Sequence, residues 1–260
     1  MTPCIAQEIL EKSDTLIYRY RNFNEFSLNE LVNSKLYFSS LDSFNDPFEV
    51  SELVCSDLPK LSTDELRKEI HRKGYSCFCR YGDNLNMWAH YANGLRGMCF
   101  VYDAVELYNS LIELNPDHYQ FDFLKVDYLG KTNSLIDIIN DESLTTGMKL
   151  KKISVASSAS KLKVFELEDE ARIIISRLSY DDIADDENLK YFNSDGSVHS
   201  QKLNFSKKSL KKIIFGKKMS ENQRSIVRNL LIDRDVILEE AMTLQLTNAN
   251  IHNVLQVNKI

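Results

Sequence analysis

TLIYRYRNFNEFSLNELVNSKLYFSS, residues 15–40, holds two periodicities in three segments over 26 positions. Residues 15–21 alternate apolar or aromatic with polar side chains, which predicts a strand. On a strand Tyr18 and Tyr20 share one face, and Arg19 and Arg21 the other. Ser27 followed by Glu30 has the spacing of a capping box and predicts a short helix over SLNELVNSK. KLYFSS then returns to a strand. The rest of the chain repeats this mixture. GYSCFCR, GMCFVYD, FLKVDYLG, LEDEARIIIS (167–176), SLKKIIFG and DVILEEAMTLQL read as strands. Helices are expected at 63–73 behind a Ser62/Glu65 box, in DNLNMWAHYANG with Asp83 as N-cap, in VELYNSLIEL, between about Ser134 and Ser160, and at 221–232 behind a Ser220/Gln223 box. The elements do not alternate as strict βαβ units. We therefore expect an α+β fold, one domain over 1–260 with a mixed or antiparallel sheet flanked by helices.

Composition narrows the function classes. Hydrophobic residues make up 43% and charged residues 27% of 260, as in ordinary globular proteins. The net charge of −6 argues against a protein that coats nucleic acid. No basic region followed by an apolar run opens the chain, and no apolar run approaches the ~20 residues that span a bilayer. Five cysteines without a regular frame suggest reduced thiols and a cytoplasmic location. The histidines show no HxxxH or HxH spacing, so zinc is not inferred. The stretch from Lys202 to Arg228 carries nine Lys or Arg and one Glu. It is either a solvated face or a contact surface for phosphate or nucleic acid.

Four stretches could carry chemistry. In YRYR, Arg19 and Arg21 either face water or form a cation fork for phosphate or carboxylate. In LYFSSLDSFNDPFEV (36–50), Asn45-Asp46-Pro47 favours a tight turn, which Phe44 and Phe48 would bury. That leaves Ser39, Ser40 and Glu49 less explained. In NMWAHYANG, Met87, Trp88 and Tyr91 fall near one helix face and His90 borders it. In FELEDEARIII, Glu168 and Glu170 would point the same way along a strand. Two such carboxylates repel unless a cation or polar ligand lies between them. Arg172 could neutralise Glu170 as a plain ion pair, or the carboxylates could project into a cleft.

YRYR, FSSLDSFNDPFE, SCFCRYGDNLNMWAHYANGLRGMCFVYD, FELEDEARIII and LKKIIFG occur in this order in a widespread bacterial domain family of unknown function. On these motifs, from Tyr18 to about Leu246, the chain is identified as a member. A second resemblance implies an activity. The layout is similar to ADP-ribosyltransferases, which place an Arg or His on a first strand, an aromatic-x-Ser-Thr-Ser motif on a second, and Glu/Gln-x-Glu on a late strand. Here Arg19 or Arg21, Tyr37-Phe38-Ser39-Ser40 and Glu168-Asp169-Glu170 match those elements, although no Thr stands between the serines.

The resemblance implies NAD as substrate. An arginine would hold the pyrophosphate, and Ser39 or Ser40 the nicotinamide ribose. Glu170 would be catalytic at the ribose, Glu168 would orient the attacking group, and Trp88, His90 or Tyr91 would form a wall for nicotinamide. An intracellular toxin or antiphage effector acting on a nucleic-acid or protein acceptor is the implied role. Two other classes stand beside it. One is a metal-dependent nuclease using Asp46, Glu49, His90, Glu168 and Glu170 with the basic 202–228 region. The other is a non-enzymatic module that binds a nucleotide or protein through its aromatic walls.

Overall fold

Strand alternation in Leu16–Arg21 sets the centre of the sheet. The computed structural model describes residues 4–5, 15–40, 44, 70, 73–115, 119–128, 138, 140–177, 201–243 and 255–259. Its elements run in chain order as β1 (Cys4–Ile5), β2 (Leu16–Arg21), α1 (Glu25–Asn33), β3 (Lys35–Phe38), β4 (Lys73–Cys79), α2 (Leu85–His90), β5 (Met98–Asp103) and α3 (Ala104–Leu114). Then come β6 (Tyr119–Lys125), β7 (Asp127–Tyr128), α4 (Thr146–Ser158), β8 (Ser160–Lys161), a 3-10 turn (Lys163–Glu168) and β9 (Glu170–Arg177). β10 (Gln201–Asn204), β11 (Leu210–Gly216), α5 (Glu221–Leu230), β12 (Ile237–Thr243) and β13 (Leu255–Lys259) complete the described chain.

Nine of these strands form one sheet in the order β1-β6-β9-β4-β2-β5-β11-β12-β13. β1 with β6 and β11 with β12 are parallel, and the other neighbours are antiparallel. The fold is thus α+β on a mixed sheet, as the interspersed periodicities predict.

Register decides which side chains share a face, because residues directly opposite one another in a ladder point the same way. Val101 of β5 faces Tyr18 of β2, Tyr18 faces Cys79 of β4, and Cys79 faces Glu170 of β9. Arg19 faces Phe100 and Arg21 faces Met98 on the opposite side. On the Arg19 side, Phe78, Phe100, Phe123, Ile173 and Ile175 pack with Leu31 of α1, Leu107 and Leu111 of α3, and Val227 of α5. On the Glu170 side, Tyr20, Cys79 and Cys99 pack with Trp88 of α2, and Tyr75 and Ile174 pack with Ile153 of α4. Each fully buried aliphatic or aromatic side chain contributes roughly 1.5–3 kcal/mol.

The sheet forks at its centre. β2 meets β4 at the single pair Tyr18–Cys79, while Ser39 bridges Tyr75 further along β4. Ser39 and Tyr75 exchange both backbone hydrogen bonds, at 2.8 and 2.9 Å. β3 itself pairs with β10, a short strand that is not among those expected from the sequence. Arg19 fills the fork, donating to the Ser76 hydroxyl and, at 3.1 Å, to the Tyr37 carbonyl.

Local chemistry moves two helix starts. α1 begins three residues before the Ser27/Glu30 box predicts. Asn24 is the N-cap; its side chain accepts from Ser27 N at 3.0 Å, and Ser27 Oγ accepts from Asn24 N at 3.1 Å. Asn is as good an N-cap as Ser, and this start frees Glu30 from capping and turns it into the interior. α2 is capped by Asn84 rather than Asp83, with Asn84 Oδ1 accepting from Met87 N at 3.2 Å. The Ser220/Gln223 box caps α5 as expected. The Ser62/Glu65 box and the Asn45-Asp46-Pro47 turn lie outside the described residues. After α2 the chain turns through Asn93, Gly94 and Leu95, all at positive φ, and packs against β11. A side chain at Gly216 would stand 2.3 Å from the Leu95 carbonyl oxygen, so only glycine admits this approach.

Candidate functional site

The Glu168–Glu170 pair does come together, but not by strand alternation. Glu168 ends the 3-10 turn, Asp169 takes a left-handed conformation (φ 41°, ψ 58°), and Glu170 opens β9. Asp is among the residues that tolerate this region. The kink turns both carboxylates toward one ammonium. Lys161 Nζ lies 2.6 Å from Glu168 Oε2 and 3.2 Å from Glu170 Oε2. The short parallel pairing of β7 with β8 holds Lys161 opposite Tyr128. Of the alternatives the sequence leaves open, the structure supplies a cation, and from a residue that the sequence reading does not single out.

Arg172, the other expected partner, is fully buried and grips Glu170 through two bonds. Nε donates to Oε1 at 2.7 Å and Nη2 to Oε2 at 3.2 Å, while Nη1 donates to the Ser158 carbonyl at 2.9 Å. Burial alone would raise the Glu170 pKa. The charge and hydrogen bonds of Arg172, with Lys161 and the Cys77 thiol, outweigh it and bring the carboxyl down to about 2. Glu170 is therefore ionised at neutral pH and 4% exposed.

Glu168 is closer to solvent, with its side chain 12% exposed. Its Oε1 accepts from Tyr91 Oη at 3.0 Å. Tyr128 Oη accepts from Glu170 N at 2.7 Å. Desolvation, then the nearby Glu168 charge, raises the Tyr91 hydroxyl well above its ordinary value; Tyr128 is likewise raised first by burial. Both phenols stay protonated at neutral pH. The assembly is a charge-balanced set of two carboxylates and two cations, edged by two neutral phenols.

The other candidate residues stand elsewhere. Arg19 and Arg21 are on the opposite face of the sheet from Glu170. There they converge on Glu30 of α1: Arg19 Nε lies 3.4 Å from Oε1, Arg21 Nη2 donates to Oε2 at 3.0 Å, and Tyr102 Oη donates to Oε1 at 2.7 Å. Glu30 is 1% exposed. Ser39 shares the Glu170 face by register, but the row Ser39–Tyr75–Ile174 lies four residues along β9, ~13 Å away at the rise of a strand. Its hydroxyl donates to the Tyr75 carbonyl at 3.2 Å. Tyr37 is half-buried beside Phe26, and Ser40 ends the described part of that segment.

Trp88 is fully buried, edge-on to Tyr20, with its indole N–H on the Gly82 carbonyl at 2.9 Å. Buried in the core, it presents no stacking face. His90 is exposed; of that helix's candidates, Tyr91 is the one whose side chain bonds a site carboxylate.

Asp46 and Glu49 lie outside the described residues. Among the described residues, no group of three or more His, Cys, Asp and Glu side chains could hold a metal ion. In the basic 202–228 stretch, Lys211 pairs with Glu106, Lys212 with Glu239, Arg224 with Glu240 and Arg228 with Glu221. Much of its charge is locally neutralised. Among the described residues no helix is long and apolar enough to cross a membrane.

The roles of Lys161, Tyr128, Glu30 and Tyr102 escape the sequence reading, because each acquires its partner through tertiary contact; of the two counter-ions, Arg172 is legible and Lys161 is not. No curated protein and no solved structure matches this chain significantly. A model of a protein family of unknown function, DUF2971, matches residues 87–173, about a third of the chain, and that span takes in Tyr91, Tyr128, Lys161, Glu168, Glu170 and Arg172.

Proposed function

We propose that the chain is an NAD-consuming enzyme of the ADP-ribosyltransferase or glycohydrolase kind, with Glu168 and Glu170 as its acting pair. One observation carries this reading. A buried, ionised carboxylate and a more accessible one are drawn to the same ammonium beside two protonated phenols. In cleavage of NAD, the bond from ribose C1′ to the nicotinamide nitrogen breaks and its electron pair leaves with nicotinamide. Positive charge develops on the ribose, and an anion fixed beforehand stabilises it without reorganisation. Glu170 is such an anion and accepts the ribose 2′-hydroxyl. Glu168, nearer solvent, takes the proton of the attacking water or acceptor as the new C1′ bond forms. The arginines of YRYR are not assigned to this site. The biological output is loss of NAD or modification of a nucleic-acid or protein acceptor, in a cytoplasmic toxin or antiphage effector.

Nicotinamide release from NAD by the purified chain, alone and with cell extract as acceptor source, tests the reading. Glu168→Gln and Glu170→Gln should abolish release while thermal melts show both variants folded. No release by the folded wild-type chain would sink it. A second reading rests on the saturation of Glu170 by Arg172 and Lys161. In it the network is a structural clamp, and the chain is a non-enzymatic module that binds a nucleotide or protein. Binding of NAD without turnover, unaffected by either Gln variant, would favour that alternative.

A further inference from the structure

Lys161 has no place in the chemistry just described, yet it touches both carboxylates. We propose that Lys161 is a positioning residue that sets the separation of Glu168 from Glu170. The inference rests on those carboxylates being the acting pair.

Glu170 does not need Lys161 to stay in place. Arg172 holds both its oxygens, and its own backbone is the first residue of a strand paired on both sides, to Cys79 of β4 and, from Ala171 on, to β6. Glu168 is tied differently. It sits at the end of a 3-10 turn whose Val164 and Leu167 side chains are 76% and 70% exposed, so apolar packing does little to anchor that segment. Its carboxylate is secured by Tyr91 on one oxygen and Lys161 on the other.

The Lys161 backbone is anchored outside that turn, in β8, and the residue is 6% exposed; its ammonium also lies 4.8 Å from the ring centroid of Phe165 within the turn. A charged, anchored donor that reaches from a rigid carboxylate to one on a loosely packed turn fixes the distance between the two. Charge-assisted bonds of this kind are short and roughly twice as strong as neutral ones.

The experiment joins a structure with kinetics. In a crystal structure of Lys161→Met, the Glu168 carboxylate should leave Glu170 and turn to solvent while the Glu170–Arg172 fork stays intact. Turnover of NAD should fall roughly 10²-fold, the loss expected of a ~1 Å misplacement, chiefly in kcat with KM little changed. Lys161→Arg, which keeps a cation between the carboxylates, should recover part of the loss. If Lys161→Met does not fold, Lys161→Gln removes the charge, keeps polarity and carries the same comparison. Glu168 unmoved in the charge-free variant, or kcat unchanged, would overturn the inference. If the wild-type chain does not turn over NAD, the proposed function fails, and the position of Glu168 in the variant structure still decides the role of Lys161.

Discussion

Two buried charge clusters lie on opposite faces of one sheet, and they are built to different ends. On the α1 face, Glu30 serves Arg19, Arg21 and the Tyr102 hydroxyl, two cations on one carboxylate. On the α2 and α4 face, Glu168 and Glu170 are matched by Lys161 and Arg172, two cations on two carboxylates. The first cluster ties α1 to the central strands and fills the fork between β2 and β4. The second has one member on a turn near solvent. In the function proposed above, the first cluster is a clamp, and the second, a fixed carboxylate beside one nearer solvent, is the acting pair. The arginines that look most functional in the sequence belong to the clamp.

The largest effect should come from breaking the clamp. Glu30→Ala leaves the buried Arg19 and the partly buried Arg21 without their carboxylate and should cost roughly 3–5 kcal/mol in urea unfolding. Arg172→Met, which strands Glu170, should cost a similar amount, with Lys161 softening the loss. Acid sharpens the contrast further. Glu170 is held at about 2 against an ordinary 4.5, so its stabilisation is complete above pH 4.5 and is lost as pH falls toward 2. That term is roughly 3 kcal/mol, and Arg172→Met should remove most of this acid dependence from the unfolding free energy.

Asn24→Ala should cost about 1 kcal/mol by uncapping the helix that carries Glu30. Hydrogen exchange should quicken in α1 and stay unchanged at β9. Lys211→Ala, which breaks a half-exposed pair with Glu106, should cost under ~1 kcal/mol and serves as the surface control.

Much of the sheet is legible in local pattern. Alternation in LIYRYR separates the tyrosines from the arginines as observed, and GYSCFCR and GMCFVYD become β4 and β5. The Glu170–Arg172 pair is also legible, since i and i+2 on a strand share a face. The relation of YRYR to Glu170 is not. It depends on a register that runs through Cys79, a contact between residues more than 60 positions apart in sequence, and one step of register inverts every face. Helix starts fail where two cap residues compete, as Asn24 does with Ser27. The left-handed kink at Asp169 is missed because the isoleucine run of LEDEARIIIS extends the expected strand back through it.

The central claim is that function lies with Glu168 and Glu170 and that the arginine face is structural. Nicotinamide release by Glu168→Gln and Arg21→Met, measured side by side with wild type and with folding verified by thermal melt, tests it most directly. The account predicts that Arg21→Met, in which Arg19 still pairs with Glu30, retains turnover while Glu168→Gln loses it. Equal and complete loss in both folded variants, or full turnover by Glu168→Gln, would contradict it.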